Sequence, residues 1–129
     1  EIGCRIDGCQ AEYISVPYAD TGLTKIPENV TNENALFVGD ILSSGYFGAK
    51  MCEIKKGDTI AIIGAGPVGL CAMICSKLLG AEKIIVIDTN ENRLNIAKQQ
   101  NLANYFLNPQ NCNIEQEIKN FTDCRGWSN

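Results

Sequence analysis

The chain of 129 residues contains no histidine. That absence removes the side chain most often used as a general base near neutral pH and the commonest ligand of zinc, so any catalysis needs residues beyond this chain. An excess of positive charge is missing too: eleven Lys and Arg stand against fifteen Asp and Glu, for a formal net charge of −4. Nucleic acids and anionic membrane surfaces both call for a basic face, so neither is expected as a partner. No apolar run approaches the ~18 residues of a membrane span, and no basic-then-apolar segment of the signal-peptide kind opens the chain. A soluble, cytoplasmic protein is the expectation.

What the chain does have is 45% apolar residues, enough for the core of one ordinary domain, and seven cysteines. The cysteine set is odd in number and irregular in spacing, and a chain with this much core needs no disulfide staples, so the residues read as reduced thiols. Cys71 and Cys75 stand one turn apart on an expected helix, where small buried apolar side chains belong. Cys4 and Cys9 have a spacing compatible with a metal site, but nothing near them completes a set of four ligands.

The chain begins at Glu1, and its first coherent element, Gln10 to Val16, reads as a strand of something larger, so a fragment is expected. Tyr18 to Val30 carries turn chemistry (Asp20-Thr21-Gly22, Pro27-Glu28-Asn29) and reads as irregular connecting backbone. From Thr31, a candidate cap, the apolar positions Ala35, Leu36, Val38, Ile41 and Leu42 recur at helical spacing toward Ala49. Gly45 and Gly48 weaken that helix by roughly 1 kcal/mol each relative to alanine, which points to a close backbone approach or to fraying.

Beyond the turn Lys55-Lys56-Gly57-Asp58, βα units alternate. Thr59 to Ile63 is apolar throughout, as for an interior parallel strand covered on both faces. Val68 to Leu79 is a helix apolar nearly all round, implying burial on several sides, and Gly80 ends it. Lys83 to Asp88 is a second strand, Asn90 to Gln100 a more polar helix with Leu94, Ile96 and Ala97 inward, and Tyr105 to Leu107 a short third strand. Asn108-Pro109 turns the chain into a last helix, Ile114 to Phe121, with Ile118 and Phe121 on one side. This is an α/β chain, the first half of a doubly wound parallel (Rossmann) sheet. In the strand order of such sheets Thr59 to Ile63 is central, so without a fourth strand its apolar edge is open and self-association is expected.

Between the first strand and helix stands Gly64-Ala65-Gly66-Pro67-Val68-Gly69. In a dinucleotide site the first glycine permits the tight turn, the second lets backbone approach the pyrophosphate, and the third lets helix pack closely on strand; the pyrophosphate lies at the positive end of the helix. Pro67 suits the first helical turn, where its missing N–H costs no intrahelical bond. Asp88 follows Gly69 by 19 positions, close to the ~20-residue offset at which a carboxylate meets the ribose 2′-hydroxyl. Its charge would repel a 2′-phosphate, which favours NAD over NADP; the alternative for Asp88 is a cap on the following helix. Arg93, one turn further, either reaches the adenosine ribose or is solvated. A half sheet supplies the adenosine and pyrophosphate side and little of the nicotinamide side.

Several separated stretches carry a family resemblance: Ile6-Asp7-Gly8, Ala11-Glu12-Tyr13, Val16-Pro17-Tyr18-Ala19-Asp20, Asp40-Ile41-Leu42-Ser43-Ser44-Gly45-Tyr46, Lys56-Gly57-Asp58-Thr59 and the glycine motif through Leu70. Together, in this order, they resemble the zinc-dependent alcohol dehydrogenases of the medium-chain superfamily. The resemblance implies that residues 1–40 are the end of a GroES-like catalytic domain with its linker, and that residues 41–129 are the first half of the NAD-binding domain. It implies hydride transfer between an alcohol or carbonyl compound and NAD, a homo-oligomer, and a zinc ion held by three protein ligands. Asp40 takes the position of the third ligand. The other two lie outside this chain, so the chain alone is expected to be inactive. Ser44 takes a position beside the nicotinamide, as the catalytic candidate, and Val68 would press on that ring. The stretch Thr122-Asp123-Cys124-Arg125-Gly126 also resembles the family, which has glycine where Cys124 stands. A zinc-free quinone or enone reductase of the same superfamily, and a non-catalytic NAD-binding module, are the alternatives.

Overall fold

The computed structural model describes residues 2–122; most of the family-like stretch from Thr122 onward, Cys124 included, lies outside them. The chain divides into two compact units, Glu1–Asn32 and Glu33–Asn129. Among the described residues of the first, up to Thr31, regular structure is a bridge between Ile2 and Ile6 and a one-turn helix, α1 (Ala19–Gly22). The strand expected over Gln10–Val16 is not formed, and Tyr13 there is 89% exposed. A strand is stable only when a neighbour takes its backbone donors and acceptors, and no described segment pairs with this one. Within the stretch expected to be irregular, Tyr18 adopts φ 55° and launches α1, and Thr21 Oγ1 donates to the Tyr18 carbonyl at 3.1 Å.

The helix expected from Thr31 to Ala49 is two helices, α2 (Asn32–Leu36) and α3 (Ile41–Met51). A turn through residues 37–40 separates them, and Asp40, at φ −143° and ψ −78°, lies outside the helical region. The apolar residues Leu36, Phe37 and Val38 that extended the helical pattern are exposed in and beside this turn. Gly45 marks a close approach: a Cβ there would sit 2.7 Å from the Ala72 nitrogen. No such contact exists at Gly48.

Three parallel strands follow, β1 (Thr59–Ile63), β2 (Lys83–Ile87) and β3 (Tyr105–Leu107), in the order β1-β2-β3. Thr59 to Ile63 pair in step with Lys83 to Ile87, and Ile85 to Ile87 with Tyr105 to Leu107. The helices between and after them are α4 (Pro67–Leu79), α5 (Glu91–Gln99) and α6 (Ile114–Phe121). Alternate residues of β2 serve opposite faces, as the period of two requires. Ile84 and Val86 join Met73 of α4 with Leu94 and Ala97 of α5; Ile85 and Ile87 join Leu107 and Ile118 of α6. Each fully buried aliphatic residue of this strand is worth about 1.5–3 kcal/mol relative to exposure. Tyr105 stacks on Phe121 with ring centroids 3.8 Å apart.

Three burial expectations are corrected. β1 has the open edge expected without a fourth strand, but its faces are less covered than those of an interior strand: Thr59 to Ile62 are half-buried and Ile63 is 82% exposed, the sheet continuing on one side only among the described residues. α4 is buried at Met73, Cys75 and Ser76, while Ile74 and Leu78, one turn apart, face outward. Ile96 of α5 is exposed, since it lies two residues, about 200° of helix rotation, from Leu94. Among the described residues no helix is long and apolar enough to cross a membrane.

Candidate nucleotide-binding site

At the end of β1 the chain reverses in a left-handed step at Gly64, φ +99°, a region closed to most side chains. Its amide donates to the Ile87 carbonyl at 2.7 Å, so the loop is sewn to the end of β2. Gly66 caps α4 in extended backbone and Pro67 takes the first helical position; helix geometry leaves the amides of Val68 and Gly69 without intrahelical partners. The roles of the two remaining glycines separate on distances. A Cβ on Gly69 would lie 1.9 Å from the Gly64 carbonyl oxygen, so helix and loop meet there as closely as backbone allows. A Cβ on Gly66 would meet nothing within 4 Å, and its φ of −75° suits any residue. Nothing in the chain's own packing demands glycine at 66. The open space before it is where a ligand's phosphates would approach.

Asp88 extends from the end of β2 toward this loop and is 8% exposed. One carboxylate oxygen accepts the Ala65 amide at 2.7 Å and the other accepts the Asn90 amide at 2.7 Å. These two bonds, more than the guanidinium of Arg93, hold the carboxyl below its ordinary range and outweigh its burial. An ionised carboxylate offers about four acceptor positions, so two donated amides leave capacity for sugar hydroxyls. The capping role that was the alternative for Asp88 belongs to Asn90, whose side chain accepts from the amides of Asn92 and Arg93. Arg93 places Nη1 3.8 Å from Asp88 with its side chain 55% exposed, beside the site and open to solvent at once.

Gly64, Gly66, Pro67, Val68, Gly69, Asp88 and Arg93 therefore gather around one loop. Asp40 and Ser44 form a separate pair at the start of α3: Ser44 Oγ donates to Asp40 Oδ1 at 3.4 Å, and the Ser44 amide donates to the Asp40 carbonyl at 2.8 Å. Both side chains are exposed. Among the described residues no three of His, Cys, Asp and Glu converge as metal ligands, and six cysteines are free thiols. The donors present do not make a zinc site by themselves, because one carboxylate leaves the ion mostly hydrated. Burial and the neighbouring Cys71 push the Cys75 thiol up, away from reactivity.

Sequence reasoning passed over Glu91 as a functional residue and read Asn108 only as part of a turn. Asn108 is 7% exposed, and its side-chain nitrogen donates to the Thr89 carbonyl at 3.3 Å and to Glu91 Oε1 at 2.5 Å. An asparagine directly after a strand on the same side of the sheet as Asp88 was the available signal.

The profile of the zinc-binding dehydrogenase family matches residues 67–128. An alcohol dehydrogenase of Cupriavidus necator is 45% identical over 124 residues, which cover 96% of this chain and 34% of that protein. An NADP-dependent isopropanol dehydrogenase of Thermoanaerobacter brockii is 34% identical over 120 residues, 93% of this chain and 34% of that one. The alcohol dehydrogenase TADH from Thermus sp. ATN1 superposes with a TM-score of 0.83 at 39% identity, covering 91% of this chain and 33% of its own. The chain belongs to the zinc-type alcohol dehydrogenase family of medium-chain dehydrogenases and spans about a third of the length of these relatives. The family's cofactors are zinc and NAD or NADP.

Proposed function

We propose that this chain supplies the adenosine-side half of the cofactor site in an NAD-dependent zinc alcohol dehydrogenase. Residues 1–40 then end a GroES-like catalytic domain, and residues 41–129 form the first half of the Rossmann domain. The observation that carries the reading is the pairing of an open face at Gly66 with a buried, ionised Asp88 tied to the amide next door. The phosphates lie against the first turn of α4, where unpaired amides and the helix dipole favour negative charge. Asp88 accepts from the ribose hydroxyls and, being anionic and buried, rejects a 2′-phosphate by charge. This sets the chain apart from the NADP-dependent relative. The bound nicotinamide supplies the acceptor or donor of hydride. Ser44 and Val68 are assigned to its neighbourhood and Asp40 to the zinc on family resemblance, the remaining ligands coming from outside these residues. A small alcohol or carbonyl substrate, a cytoplasmic location and a homo-oligomer complete the proposal.

Calorimetric titration of the chain with NAD and with NADP tests it. NAD should bind at least tenfold more tightly; equal binding, or none, overturns the reading. Alcohol-dependent NADH formation by the purified chain, above a zinc-only control, would overturn the expectation that it is inert alone.

A further inference from the structure

The turn that presents Asp88 is held from the next strand. β3 ends at Leu107, whose carbonyl accepts the Asp88 amide at 3.1 Å. The following residue, Asn108, then uses both hydrogens of its side-chain amide on the same turn, one on the Thr89 carbonyl and one on Glu91 Oε1. Glu91 Oε1 also accepts Asn111 Nδ2 at 2.9 Å, while Asn108 Oδ1 accepts the Gln110 amide at 3.0 Å. The result is a strap across residues 89–91. On the other side the turn is fastened by Asp88 itself, through the Asn90 amide.

From this arrangement we infer that Asn108 is a positioning residue for nucleotide recognition: it fixes the β2–α5 turn so that the Asp88 carboxylate faces the sugar. The inference rests on the nucleotide reading above. Asn108 touches no ligand; it acts through Thr89 and Glu91. A hydrogen bond to a charged acceptor is directional and loses strength steeply when misaligned. Loosening the turn therefore costs the ribose contact more than the phosphate contacts, because the glycine loop is also held independently of Asp88, by the Gly64 amide on the Ile87 carbonyl and by the close packing at Gly69.

The test compares NAD with its analogue lacking the adenosine 2′-hydroxyl, titrated calorimetrically into the chain and its variants, with folding checked by thermal melting. The unsubstituted chain should prefer NAD by about tenfold, the scale of one hydrogen bond to a charged group. In Asn108→Ala the preference should fall to about threefold or less, with affinity for the deoxy analogue changed by less than about twofold. Glu91→Ala should show the same loss in milder form, and Glu91→Gln, which keeps an acceptor oxygen, should restore the preference. A merely structural role would weaken both ligands alike. An undiminished preference in folded Asn108→Ala overturns the inference and leaves the nucleotide reading standing. If Asn108→Ala does not fold, the exposed Glu91 decides, and an undiminished preference in Glu91→Ala overturns it. No preference in the unsubstituted chain overturns both.

Discussion

Asp88 and Ala65, 23 residues apart in sequence, share a 2.7 Å hydrogen bond in which a buried carboxylate oxygen accepts the amide between the first two glycines of the loop. The carboxylate proposed to hold the sugar also holds the loop proposed to hold the phosphates. Asp88→Asn presents an NH2 group to one of two amide donors that formerly met oxygen. Losing one charge-assisted bond costs about 1.5–3 kcal/mol, so NAD affinity should fall by roughly tenfold to a hundredfold and the preference over NADP should shrink. Fluorescence titration with both nucleotides measures this; unchanged preference would remove Asp88 from the site.

The same carboxylate makes stability depend on acidity. Its folded-state pKa is lowered by the Ala65 and Asn90 amides, so its stabilisation is fully present above the unfolded value of about 4 and is lost as pH falls through the lower, folded one. Urea unfolding of the chain and of Asp88→Asn should differ most at neutral pH, and the gap should close below about pH 4. A gap that widens in acid has the wrong sign for this account.

Gly66 and Gly69 should separate folding from binding. Gly69→Ala forces a Cβ to 1.9 Å from the Gly64 oxygen, an overpacking expected to cost about 1–3 kcal/mol or more and to lower the melting temperature. Gly66→Ala meets no atom of the chain within 4 Å, so its melting temperature should stay near that of the unsubstituted chain while NAD binding drops at least tenfold. Equal thermal damage from both would show that the space before Gly66 is not reserved for a ligand.

Among the described residues β1 has a free backbone edge, and Ile63, Ile74 and Leu78 are exposed at 82%, 40% and 81%. Open apolar edges template pairing with further chains, so the isolated chain should self-associate with rising concentration. Ile63→Lys should reduce this without lowering the melting temperature, because the side chain is already in water. Light scattering at several concentrations provides the measurement, and a monomer throughout would refute the expectation.

Sequence was most informative where pattern and packing agree. β1, β3 and α6 fall where short apolar-rich segments and turn chemistry place them, since each is bounded by glycine, proline or asparagine signals. The strand expected over Gln10–Val16 failed because a strand is a property of two segments, and apolar content in one says nothing of whether its neighbour is at hand. The break before Ile41 lay in the backbone of Asp40, which hydrophobic spacing does not sense. Burial at Ile74, Leu78 and Ile96 was overcalled for a related reason: composition reports that a side chain can be buried, and only topology reports what covers it. In the site, the glycines and Asp88 were legible because their spacing encodes a backbone path, whereas Asn108 works across strands through atoms no local pattern records.

Both apolar clusters draw on the one strand β2, Ile84 and Val86 serving one and Ile85 and Ile87 the other. The two halves of the interior thus have a common spine. Neither layer of helices can come away without loosening the wall against which the other leans, so a disturbance on the α6 side is felt beneath α4 and α5 through a single plank of backbone.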